Sequence, residues 1–122
     1  VWDREITVPV TTLDALIRDH GKPAFVKIDV EGFEDSVLAG LSTALPALSF
    51  EFTTISREVA SRCLARLAAL GPYRFNVALG ESQRLALESW IDAAAMDAHL
   101  AGLPHAANSG DVYAVLDPTG LR

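Results

Sequence analysis

Phe25-Val26-Lys27-Ile28-Asp29-Val30 follows a Lys22-Pro23 break and runs directly into Glu31-Gly32-Phe33-Glu34. Its β-branched residues predict a strand buried on both faces, and therefore the central strand of a sheet. Beyond Gly32, the residues Phe33, Val37, Leu38, Leu41 and Leu45 fall on one helical stripe that Pro46 closes, with Glu34 and Asp35 in the positive first turn. Strand, glycine turn and helix in this order are the first half of a βαβ unit.

The flanking sequence repeats the alternation. Upstream, Ile6 to Thr12 reads as a short β-rich segment broken by Pro9, and Leu13, Leu16 and Ile17 then take helical spacing up to Gly21. Downstream, Leu48-Ser49-Phe50-Glu51-Phe52 alternates with the period of a strand. Ser56 is placed to cap a long helix lined by Val59, Cys63, Leu64, Leu67 and Leu70, which Gly71-Pro72 stops. Tyr73 to Leu79 reads as a strand, Asp92 to Leu100 as a short helix, and Asp111 to Leu116 as a last strand after Asn108-Ser109-Gly110. The expected order is β-α-β-α-β-α-β-α-β. The expected class is α/β, with a mainly parallel sheet flanked by helices on both faces.

Composition narrows the function. The chain has 122 residues, half of them apolar, enough for one domain with its own core. Sixteen acidic against ten basic residues give a net charge of −6. Without a dense basic block, neither nucleic acid nor an anionic membrane is an expected partner. A single cysteine, Cys63, cannot close an internal disulfide. With no basic n-region leading into an apolar signal core, the expected location is the cytoplasm.

In open α/β sheets, ligands bind where strands give way to loops at their carboxyl ends. Period two places Lys27, Asp29 and Glu31 on one side of the first quoted strand. Burying three ionisable groups together is costly unless they pair, so Lys27 is expected to balance a carboxylate while Asp29 and Glu31 lean toward the cleft. The alternative is an ordinary strand-to-helix turn with Lys27 in solvent and the acids capping the next helix. Elsewhere the signals are structural. His20, His99 and His105 lack metal-ligand spacing, no clustered carboxylates are evident on loops, and no metal is expected. Cys63 sits on an apolar stripe as a small hydrophobe. Trp90 is expected to staple the following helix to the sheet. A phosphoacceptor receiver is excluded, because its fifth strand would need a lysine after it and no lysine follows Lys27.

Three segments taken in order, Val8-Pro9-Val10-Thr11-Thr12-Leu13-Asp14, then Val26-Lys27-Ile28-Asp29-Val30-Glu31-Gly32-Phe33-Glu34-Asp35-Ser36-Val37-Leu38-Ala39-Gly40, then Leu48-Ser49-Phe50-Glu51-Phe52, resemble the FkbM family of S-adenosylmethionine-dependent methyltransferases. The resemblance spans nearly the whole chain, with its specific part in positions 8 to 52. It implies a Rossmann-like methyltransferase sheet in strand order 3-2-1-4-5-7-6, of which this chain supplies the C-terminal half, Lys27 to Gly32 forming the fourth strand and its active-site edge. It further implies S-adenosylmethionine as cofactor and a small-molecule or sugar hydroxyl as acceptor. Asp29 and Glu31 become the candidate catalytic residues, Glu31 as general base and Asp29 as orienting group, with Glu51 and Thr53 lining the acceptor pocket.

The pattern departs from the family where the cofactor should be held. The glycines, at 21, 32, 40, 71, 80, 102, 110 and 120, are never closer than eight positions, so no Gly-x-Gly turn can be drawn and the cofactor-binding residues are not identified. An upstream portion would supply them. Without it, the strand at Phe25 to Val30 becomes an edge, and a homodimer through that edge is expected, or re-pairing, or aggregation. The competing reading is a non-catalytic remnant or oligomerisation domain that binds no cofactor by itself.

Overall fold

The computed structural model describes residues 12–29, 32–80 and 84–116. They form helix α1 (Leu13–His20), strand β1 (Val26–Ile28), helix α2 (Glu34–Ala39), strand β2 (Ala47–Thr53), helix α3 (Arg57–Leu70), strand β3 (Tyr73–Leu79), helix α4 (Ala93–Ala101), a 3-10 turn at His105–Ala107 and strand β4 (Ser109–Leu116). The strand expected at Ile6 to Thr12 lies outside the described residues except for Thr12, whose hydroxyl instead caps α1 by accepting from the Ala15 N–H.

The four strands are ordered β1-β2-β4-β3. β1 and β2 are parallel, while β4 runs antiparallel to both β2 and β3. The sheet is therefore mixed, which corrects the expectation of a mainly parallel one. Its last strand enters from the opposite end because α4 and the 3-10 turn return the chain to the carboxyl ends of β2 and β3. The Asn108 carbonyl there accepts from both the Thr54 N–H and the Thr54 hydroxyl, fixing the entry to β4.

Helices on both faces were expected; among the described residues they lie on one. α3 packs against both α2 and α4, which would be impossible across a sheet. Leu38 from α2, Val59, Cys63, Leu64 and Leu67 from α3, and Met96 and Leu100 from α4 share a single core with Ile28, Leu48, Phe50, Phe52, Phe75, Val77, Val112 and Ala114. The strand residues in that list alternate along each strand. Their neighbours, Lys27, Ser49, Glu51, Asp111 and Tyr113, therefore point to the other face. That face is polar yet partly covered: Ser49 and Asn76 on it are buried, while Lys27 is exposed.

β1 is shorter than read from the sequence and is an edge of the described sheet rather than its centre, with Phe25 and Lys27 exposed. α2 is also shorter. It ends at Gly40, well before Pro46, and Leu41 and Leu45 enter the core from the following loop. Tyr73 stabilises that loop: its hydroxyl donates to the Leu45 carbonyl at 2.6 Å and accepts from the Leu45 N–H at 2.7 Å. Asp14 ties α1 to the same loop, accepting from the Ser42 N–H at 2.8 Å and the Ser42 hydroxyl at 2.7 Å. β3 and α3 match the sequence reading, although the Ser56 side chain makes no capping bond. Trp90 is exposed. Its neighbour Ile91 does the stapling by bridging Phe75 through both backbone groups. No helix among the described residues is long and apolar enough to cross a membrane.

Candidate functional site

β1 and β2 run side by side in register Val26↔Leu48, Lys27↔Ser49, Ile28↔Phe50. One residue beyond the last pair stand Asp29 and Glu51, both on the face opposite the core. Glu51 is also opposite Asp111 of β4. Gly32 then turns the chain with a φ of +100°, a conformation that costs a residue with a side chain, and α2 begins at Glu34. The Glu34 carboxylate is buried. It accepts from the Gly32 N–H at 3.0 Å, which orients the turn that follows β1.

The result is a concentration of negative charge. Carboxylate oxygens of Asp29, Glu34 and Glu51 lie within 4.8 Å of one another. Such a set could span one cation; it is brought together by a strand end, a helix and a strand rather than by loops. Burial pushes the Glu51 carboxyl up to about 7, and the charge of Asp29, a hydrogen bond between the two side chains, Glu34 and Asp111 push in the same direction. Two carboxyls in hydrogen-bond contact share a proton, because like charges at that distance cannot both remain ionised cheaply. A group titrating near neutrality can take or give a proton at working pH.

Of the residues singled out from sequence, the structure brings Asp29 and Glu51 together. Thr53 is half-buried two residues further along β2, where its hydroxyl accepts from the Ser56 N–H at 3.2 Å, an ordinary loop contact. Glu31 lies outside the described residues. Lys27 does not balance a carboxylate among the described residues: the ion pairs there are Arg18–Asp19 and Arg62–Asp35. Glu34 and Asp111 were not picked out as site residues. Glu34 looked like a helix-terminal acid, and only the β2–β4 register reveals that Asp111 faces Glu51. His20 and His105 are exposed and His99 half-buried, on separate elements. Cys63 is buried with its thiol pushed up to about 12 by desolvation, which removes it as a nucleophile.

A model of the methyltransferase FkbM domain matches residues 1–61, half of the chain. The chain belongs to the FkbM methyltransferase family. The match takes in β1, α2 and β2, hence Asp29, Glu34 and Glu51, and it ends within α3. It lies in the N-terminal half of this chain and contains the specific part of the resemblance, positions 8 to 52. No curated protein and no solved structure matches.

FkbM membership implies S-adenosylmethionine, and the described residues do not fit it as a held ligand. The glycines are too far apart for the turn that lets backbone approach a nucleotide. Asp29, at the head of β1, is engaged with Glu51 rather than offered to a ribose. The apolar hollow beside β1, lined by Leu13, Ile17, Val26 and Leu45, measures about 30 Å³, where small-molecule pockets hold ~300 Å³ or more.

Proposed function

We propose that this chain serves transfer of a methyl group from S-adenosylmethionine to an oxygen acceptor, a small-molecule or sugar hydroxyl, and that its carboxylates form the acceptor side of the site. The observation that carries this reading is the placement of Asp29 and Glu51 at the adjacent heads of two parallel strands, within the segment that matches the FkbM domain. In this reading Glu31 removes the acceptor hydroxyl proton, Asp29 orients the hydroxyl, and Glu51 and Thr53 border the acceptor. A titration near neutrality suits Glu51 to pass that proton on.

The order β1-β2-β4-β3 corresponds to the 4-5-7-6 part of the strand order implied for the family. It supports reading residues 1–122 as one α/β domain that forms the C-terminal portion of a Rossmann-like methyltransferase domain. The cytoplasm is the location proposed with it.

A second reading is favoured by the poor fit to the cofactor: a non-catalytic domain that keeps the fold and its contacts. One experiment separates the two. Calorimetric titration of S-adenosylmethionine into the complete domain of which this chain is proposed to be the C-terminal portion, followed by transfer of a labelled methyl group to a panel of hydroxyl acceptors, should give binding and a labelled ether under the first reading. The absence of both returns the second.

A further inference from the structure

We propose that Arg57 is a positioning residue for the acceptor: its guanidinium latches the end of α4 to the start of α3 and so holds residues 103–108 as a wall beside Thr53. This deepens the methyl-transfer reading and rests on it.

The ladder brings that stretch of chain to the site. Thr53, the last residue of β2, pairs with Ser109, the first of β4. The chain entering β4 therefore crosses the carboxyl end of β2, close beyond Glu51. Buried Thr54 fixes one end of the crossing. Its N–H donates to the Asn108 carbonyl at 2.8 Å, and its hydroxyl lies 3.3 Å from the carbonyls of both His105 and Asn108. Ahead of Asn108 comes the 3-10 turn, which presents His105 and Ala106 to solvent.

Arg57 fixes the other end. A cation on the first residue of a helix opposes the positive end of that helix's dipole, so α3 gains nothing from it there. The side chain instead crosses to the negative end of α4, where Nη1 donates to the Ala101 carbonyl at 3.2 Å and Nη2 to the Leu103 carbonyl. A planar guanidinium serves two carbonyls at once, which a single ammonium does not. Buried Nε has no hydrogen-bond partner among the described residues, so the two Nη contacts set where the side chain lies. One turn along α3, the Ser61 hydroxyl donates to the Asp97 carboxylate. That bond joins helix to helix. The Arg57 contact continues past the end of α4 to Leu103, where the crossing begins.

The test compares Arg57→Ala, Arg57→Lys and Ser61→Ala in the complete methyltransferase domain. Labelled methyl transfer reads acceptor KM and kcat, calorimetry reads the Kd of S-adenosylmethionine, and hydrogen exchange reads the bonded amides of Leu103, Ala107 and Asn108. In Arg57→Ala these amides should exchange about tenfold faster and acceptor KM should rise about tenfold, with kcat and cofactor Kd within about twofold of the native domain. Arg57→Lys, which keeps the charge and reaches one carbonyl, should fall between. Ser61→Ala should behave as native. If Arg57→Ala does not fold, Arg57→Lys against Ser61→Ala decides. Exchange or KM unmoved by both Arg57 variants overturns the inference. So does a fall in kcat and cofactor affinity alongside KM, or an equal effect from Ser61→Ala. A native domain that labels no acceptor defeats the methyl-transfer reading and this inference with it; an active domain indifferent to Arg57 defeats this inference alone.

Discussion

Replacing Glu51 by glutamine should change how stability depends on pH, and the size of the change follows from the site. Glu51 has an ordinary carboxyl value of 4.5 when the chain is unfolded and about 7 in the folded protein. The folded state therefore binds the proton more tightly. The resulting stability is fully present below the unfolded value and is lost as pH rises through the folded one. At ~1.4 kcal/mol per pH unit, the gap would amount to ~3 kcal/mol in a dry site. Glu51 is only half-buried, and solvent screening reduces this to ~1–2 kcal/mol. Glutamine keeps the hydrogen bond to Asp29 and carries no charge. The variant should therefore gain ~1–2 kcal/mol on the native chain between about pH 4 and about pH 8. Other carboxyls contribute with the opposite sign: the Ser42 N–H holds Asp14 low, and the Arg62 guanidinium holds Asp35 low. They are common to both proteins and cancel in the difference. Urea unfolding of the two proteins across that range measures it. Curves that stay parallel throughout would refute the shared proton.

Other substitutions probe the frame that holds this site. A Cβ at Gly110 would run into the Ala78 carbonyl oxygen and lie 2.9 Å from the Phe52 ring, so Gly110→Ala should destabilise the protein by ~3 kcal/mol or more, read as a shifted urea midpoint. Tyr73→Phe leaves the buried Leu45 N–H and carbonyl without their partner and should cost ~1–3 kcal/mol in the same assay. Cys63 should resist a thiol reagent at neutral pH until the chain unfolds; rapid labelling of the native protein would contradict its burial.

Local patterns in the sequence located most elements and missed their assembly. β3 and α3 were legible because Gly71-Pro72 separates two long, regular apolar patterns. α2 was overread because Leu41 and Leu45 keep helical spacing while packing from a loop, a placement set by Tyr73 and the core rather than by helix propensity. The direction of β4 could not be read locally, since a strand has the same period in either direction. The same limit governs the site. Asp29 was visible as a carboxylate at a strand end, and Glu51 as a candidate beside it. Their pairing depends on the β1–β2 register, and the part played by Asp111 on the β2–β4 register. Glu34 was hidden by its position, where an acid has an ordinary role at a helix start.

The most direct measurement of the proposed activity is transfer of labelled methyl from S-adenosylmethionine to hydroxyl acceptors by the complete methyltransferase domain to which this chain is assigned, comparing the native domain with Glu31→Gln. Loss of a general base predicts a fall in turnover of roughly a hundredfold or more, with cofactor affinity much less affected. A complete domain that labels no acceptor, or a variant that turns over as fast as the native domain, would contradict the account.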